Sequence, residues 1–198
     1  MPHRVFVDAD VLASRTPYEW LGLLRDETDA FQLHSSRAVM ADAVRLWRSG
    51  DPAVREAAAP RRLALLTASL DEVVDGAGTD AEPGVGGRAG DSAVMDALAS
   101  GAHVLLSVSA RTGEDEDRLP FEICTPDEFL CLTDDAAPAA VREVARQRAA
   151  VREVARQRAN EPEGARQRAN EPLADALFAA GCPAFAERVA SHLRATAR

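Results

Sequence analysis

The chain opens with a short apolar run, Arg4-Val5-Phe6-Val7, that ends in Asp8-Ala9-Asp10 before Val11 and Leu12 resume the apolar pattern. Such a run predicts a buried strand that delivers acids to the edge of a sheet. If the strand continues, its two-residue period projects Asp8 and Asp10 the same way. Thr16, Pro17 and Glu19 stand in the order of a capping box with proline in the first turn, which predicts a helix over about 17–26. Phe31 to His34 is a short strand candidate. Ser35 or Ser36 then caps a helix whose Val39, Met40, Ala43, Val44 and Trp47 recur at helical spacing before Gly50. After Asp51 and Pro52, another amphipathic segment carries Leu63, Leu66, Leu70, Val73 and Val74, followed by a glycine-rich loop over 76–90.

From Asp91 a helix presents Val94, Ala97 and Leu98 and stops at Gly101, after which Ala102 to Val108 reads as a second buried strand. Phe121 to Cys124 is a last strand candidate. Thr125, Pro126 and Glu128 repeat the cap, proline and acid order and open a helix through Leu132. The predicted order is β-α-β-α-α-α-β-β-α. Helices separate most successive strands, so parallel pairing in an α/β fold is expected.

Beyond Pro138 the sequence repeats itself: Val141 to Ala149 recurs as Val151 to Ala159, and Ala155 to Pro162 has a near copy at Ala165 to Pro172. A ten-residue step turns a helix face by about 80°, so successive copies share no single apolar stripe. This predicts a slippage duplication in a solvated, arginine-rich helix rather than a solenoid or a dedicated RNA-binding arm. Leu173, Leu177, Phe178, Phe185, Val189 and Leu193 make the last segment amphipathic, suited to docking on the body or on a partner. The expected division is a body over 1–135, an arginine-rich helical segment over 136–172 and a C-terminal amphipathic helix over 173–198.

Composition narrows the class. With 198 residues, 46% of them hydrophobic, the chain can bury one substantial core. No apolar stretch approaches the ~20 residues needed to span a bilayer, and Asp8 interrupts the place where a signal peptide needs an apolar region. A cytoplasmic protein is expected, with Cys124, Cys131 and Cys182 as reduced thiols. Residues 1–138 carry a net charge of −13 and residues 139–198 one of +4, and every basic side chain is arginine. The acidic body argues against indiscriminate nucleic-acid binding, while a local contact through the arginines remains open.

Asp8, Asp42 and Asp91 come from separate segments that an α/β fold can bring to one sheet edge. Asp42 lies only about 60° around its helix from Val39, beside the apolar stripe. Oxygen ligands without histidine or cysteine suit Mg²⁺ or Mn²⁺, and phosphodiester hydrolysis is chemistry such a site supports. Each acid also has a plainer reading: Asp91 before Ser92 as a helix cap, Asp42 as an exposed carboxylate, Asp10 as the cap of a turn. Asp8 is harder to explain that way, since an acid at the end of an apolar strand is costly unless paired or exposed. His3, His34, His103 and His192 lie far apart and read as structural or surface residues.

VFVDADVLAS near the start, ADAVRLWR around Asp42, GDSAVMDALASGAHVLLS from Gly90 and TPDEFLCL from Thr125 together resemble, in order and spacing, the motifs of PIN-domain proteins, the VapC-like ribonucleases. The resemblance covers roughly residues 3–135. It implies a three-layer α/β/α sandwich with a central, mostly parallel sheet of four or five strands, and a Mg²⁺ or Mn²⁺ site that cuts RNA. By motif position Asp8, Asp42 and Asp91 match the metal-binding acids. Asp10 takes a neighbouring polar position, and Arg15 is a nearby substrate contact. At the fourth acidic position of the family Ser107, Val108 and Ser109 stand instead, with Asp115 and Asp117 a few residues downstream. The expected partners are an RNA substrate, a small regulatory protein of the antitoxin kind and, in a homodimer, a second copy of the chain. A PIN fold with a decayed site, acting only by binding RNA or protein, is the alternative. DAD and GDSAVMD also resemble haloacid-dehalogenase phosphatase motifs, in which Asp8 is the nucleophile, Asp10 the acid/base, and Asp91 with Asp96 the magnesium ligands. That family's lysine before the GD motif is missing, with Arg88 the only nearby cation.

Overall fold

The N-terminal apolar run forms strand β1 (His3–Val7), whose Val5, Phe6 and Val7 are fully buried. In this computed structural model, which describes residues 2–48, 52–76, 89–109, 119–157 and 172–196, the strand does not continue through the acids. Asp8 instead caps a short helix, α1 (Ala9–Ala13), by accepting the Ala9 amide at 2.6 Å. Asp8 and Asp10 therefore occupy a helix cap and its first turn, not alternate positions of a strand. The apolar Val11 and Leu12 close this helix onto the core.

Only Ser14 separates α1 from α2 (Arg15–Thr28), so the second helix begins ahead of the Thr16 cap that the sequence suggests. Glu19 has no capping role; it pairs with Arg15 in its own helix and with Arg148 far along the chain. Strand β2 (Phe31–Ser36) runs two residues beyond His34 before Ser36 caps α3 (Arg37–Arg48), its hydroxyl accepting the Val39 amide at 3.1 Å. Helix α4 (Pro52–Ser69) then leads into β3 (Glu72–Val74), an edge strand that the spacing of Val73 and Val74 assigns to the preceding helix. Three residues carry no detectable period, and tertiary pairing decides: Asp71 and Leu33 exchange a backbone bond at 2.8 Å and a carboxylate-to-amide bond at 2.7 Å.

Helix α5 (Ala89–Ala99), strand β4 (Val104–Leu106), strand β5 (Glu122–Cys124) and helix α6 (Pro126–Ala136) complete the α/β body. The second capping box forms as the sequence predicts, with Thr125 and Glu128 bonded reciprocally. All five strands are parallel in the order β3-β2-β1-β4-β5, flanked by helices in a three-layer α/β/α sandwich. From β1 the chain moves first toward β2 and β3 and later returns to β4 and β5 on the other side. The order thus reverses between β1 and β4, and in open parallel sheets the crevice at the carboxyl ends of such a pair is the usual ligand seat.

Helices α7 (Pro138–Gln157), α8 (Leu173–Ala179) and α9 (Pro183–Thr196) follow. Gly181, at φ 82°, breaks the C-terminal segment into two helices, where the pattern suggests one. They pack on the body: Phe185 meets Trp20 edge-to-face at 5.1 Å, and Asp127 accepts the Ala184 and Phe185 amides. The first repeat copy is half core, with Val141, Val144 and Ala145 buried, whereas Val151 and Val154 of the second are exposed. The later repeats over 158–171, the glycine-rich stretch over 77–88 with Arg88, and Asp115 with Asp117 lie outside the described residues. Among the described residues no helix is long and apolar enough to cross a membrane.

Candidate metal site at the carboxyl end of the sheet

A cavity of about 280 Å³ opens where β1 and β4 end, lined by Asp8, Asp10, Asp42, Ser107 and Ser109 among others. These residues come from three places in the chain. The amide of Asp8 bonds to the Leu106 carbonyl at 3.0 Å, which fixes the end of β1 against β4 before α1 turns away. Asp42 reaches the same cavity from α3, accompanied by Val39, Arg45 and Leu46 on one face of that helix. The 60° offset from Val39 thus has the consequence expected of it.

Asp10 ties the two sides together. Its Oδ2 accepts the Val108 amide at 3.1 Å, the Ser109 amide at 3.4 Å and the Ser107 hydroxyl at 3.4 Å. Its Oδ1 is buried and has no hydrogen-bond partner among the described residues. A buried carboxylate oxygen left without a donor is costly, and a cation or its hydration shell in the adjoining cavity relieves that cost. Asp42 carries an ion pair with Arg45 at 3.2 Å, both side chains largely exposed. Arg45 is a cavity residue that the motif reading passes over, although its position three residues after Asp42 puts it on the same helix face.

Two expectations fare differently. Asp91 falls in the first turns of α5, and its side chain lies outside the described residues; Ser92, next to it, lines the cavity. Arg15 is not among the cavity residues. It starts α2 and engages Glu19, because α1 carries the chain away from the sheet edge before Arg15 is reached.

Among the described residues no group of three histidine, cysteine or acidic side chains is gathered closely enough to hold a metal ion. The donor set nevertheless has the chemistry of a hydrated Mg²⁺ or Mn²⁺ site, which keeps several waters and takes only one or two carboxylates from the protein. Asp8 and Asp42 are the two carboxylates that would take that role, and Asp10 lines the same cavity. The chain matches no protein-family model, no curated protein and no solved structure.

Proposed function

We propose that this chain is a PIN-like, divalent-metal-dependent endoribonuclease. The observation that carries the reading is the convergence of Asp8, Asp10 and Asp42 on one cavity at the switch point between β1 and β4, together with the serines after β4. Asp8, Asp42 and Asp91 would hold the ion. Bound Mg²⁺ or Mn²⁺ supplies Lewis acidity toward an RNA phosphate and lowers the pKa of a coordinated water. Asp10 braces the loop after β4, so that Ser107 and Ser109 line the cavity without adding charge. Arg45, rather than Arg15, is the cation placed to meet the phosphate, because it lines the cavity beside Asp42 and would be released to substrate if that carboxylate held the ion. An antitoxin-like partner and a cytoplasmic setting belong to the same proposal.

One observation favours the non-catalytic alternative: after β4 the cavity presents serines where the family has an acid, and Asp42 is already neutralised by Arg45. The phosphatase reading draws no such support, since it needs Asp10 as a mobile acid/base and its Oδ2 is occupied by three donors. A cleavage assay on single-stranded RNA, with and without Mn²⁺, separates the three. Wild type is expected to cut only with the metal, and Asp8→Asn and Asp91→Asn to lose about a hundredfold or more. Equal activity in wild type and variants sinks the nuclease and leaves the binding module. Hydrolysis of a small phosphate ester, lost in Asp8→Asn, restores the phosphatase.

A further inference from the structure

On the outer face of the helices, α2, α4 and α7 border an open cavity of about 430 Å³, away from the acids at the sheet edge. Arg25, Arg62 and Arg148 line it together with the carboxylates Glu19 and Asp26 and with Tyr18, Ser69 and Leu65. Its charges are not balanced. Arg148 is paired with Glu19 at 2.5 Å, and Glu19 is shared with Arg15; Arg25 is paired with Asp26 at 2.6 Å and reaches Asp71 at 3.5 Å. Arg62 is left over. Its one hydrogen bond is from Nη2 to the Leu12 carbonyl at 2.8 Å, and among the described residues it has no ion-pair partner.

The leftover charge is also partly desolvated. Among the described residues the Nε of Arg62 and that of Arg148 are both buried without an acceptor, and burial pushes the pKa of Arg62 below its ordinary range. A half-buried guanidinium whose one partner is a carbonyl is a costly arrangement in a protein that is acidic over most of its length, unless an anion meets its remaining Nη donors. Guanidinium groups match phosphate oxygens through paired N–H donors, and two such groups on facing helices form a clamp for one phosphate. Tyr18 and Ser69, joined at 2.7 Å, add hydroxyls on the same wall, and Leu65 supplies an apolar rim.

We infer that the α2–α4–α7 cavity is a phosphate-binding site centred on Arg62 and Arg148. It stands independently of the nuclease reading, because none of its residues belongs to the acidic cavity and its ligand is held without a metal. The phosphate comes either from a small phosphate ester or from the backbone of a single-stranded RNA, and the chemistry of the clamp is the same for both.

Calorimetric titration of the full chain in EDTA tests this with three probes: inorganic phosphate, adenosine monophosphate and a short RNA with hydroxyl groups at both ends. Each is titrated into wild type, Arg62→Gln and Leu65→Glu. The last variant sets a carboxylate at an exposed rim position and so tests the site even if the Arg62 variant folds poorly. The expected result is saturable binding of at least one probe, weakened about tenfold or more in both folded variants. Binding of phosphate or the mononucleotide identifies a small ester; binding of the RNA alone identifies phosphodiesters. No binding of any probe at millimolar concentration, or binding that Leu65→Glu and a folded Arg62→Gln leave unchanged, overturns the proposal. Cleavage is not the readout, so a failed nuclease assay leaves this result standing.

Discussion

The Oδ2 atom of Asp10 accepts the backbone amide of Val108 at 3.1 Å, joining the first turn of α1 to the segment that leaves β4. These residues are 98 positions apart in the chain, and this contact closes the sheet edge on which the candidate metal site rests. Asp10→Ala is expected to cost about 1–2 kcal/mol in urea unfolding, since the freed amides are exposed enough for water to replace part of the bond. Cleavage, where present, is expected to fall as well, because the serines after β4 lose their brace. An unchanged unfolding midpoint would show that the loop is held by other contacts.

Asp8 has two duties that substitution can separate. Asn caps a helix about as well as Asp, so Asp8→Asn should keep α1 and lose only the charge, whereas Asp8→Ala should destabilise the fold by about 1 kcal/mol. In the proposed role both abolish the response to metal. Millimolar Mn²⁺ is expected to raise the melting temperature of wild type and to leave both variants unmoved. A rise of equal size in Asp8→Asn removes Asp8 from the metal site.

Part of this site could be read from the chain and part could not. The run from Arg4 to Val7 and the spacing of Asp42 from Val39 are local signals, and both Asp8 and Asp42 line the cavity at that edge of the sheet. Strand β3 escaped because three residues next to a leucine-rich helix have no period of their own and are fixed by pairing with β2. The Thr16 cap failed for a related reason: α1 ends at Ala13 and the extended Ser14 takes the N-cap position, so α2 starts at Arg15, which a linear motif does not register. Arg62 and Arg148, separated by 86 positions, meet only through the packing of α2 against α4 and α7, and no spacing rule connects them.

His34 gives the fold a pH dependence of definite sign. It is buried on β2, with Nδ1 facing Glu72 at 3.1 Å and the Arg4 guanidinium at 3.4 Å. Burial holds its pKa below the ordinary value, and the charge of Arg4 acts in the same direction, against Glu72 and Asp71. The unfolded chain therefore binds this proton more readily than the folded one. Stability is expected to be full above the unfolded value of about 6.5 and to decline as pH falls from there toward the lower folded-state value. His34→Gln should flatten that part of the profile, measured as urea midpoints between about pH 5 and 7.5.

The repeats offer a comparison in which sequence context is held nearly constant. Val141 and Val151 begin identical nine-residue stretches and both lie in α7, yet Val141 is 0% exposed and Val151 62% exposed. The ten-residue step has rotated the second copy off the core, as 100° per residue requires. Val141→Ala should therefore leave a cavity beneath α7 and cost about 2 kcal/mol. Val151→Ala should lie within about 0.5 kcal/mol of wild type, with the higher helix propensity of alanine offsetting the small loss of contact. Equal costs at the two positions, read from denaturant unfolding of the single variants, would mean that the second copy is covered in solution by a surface outside the described residues.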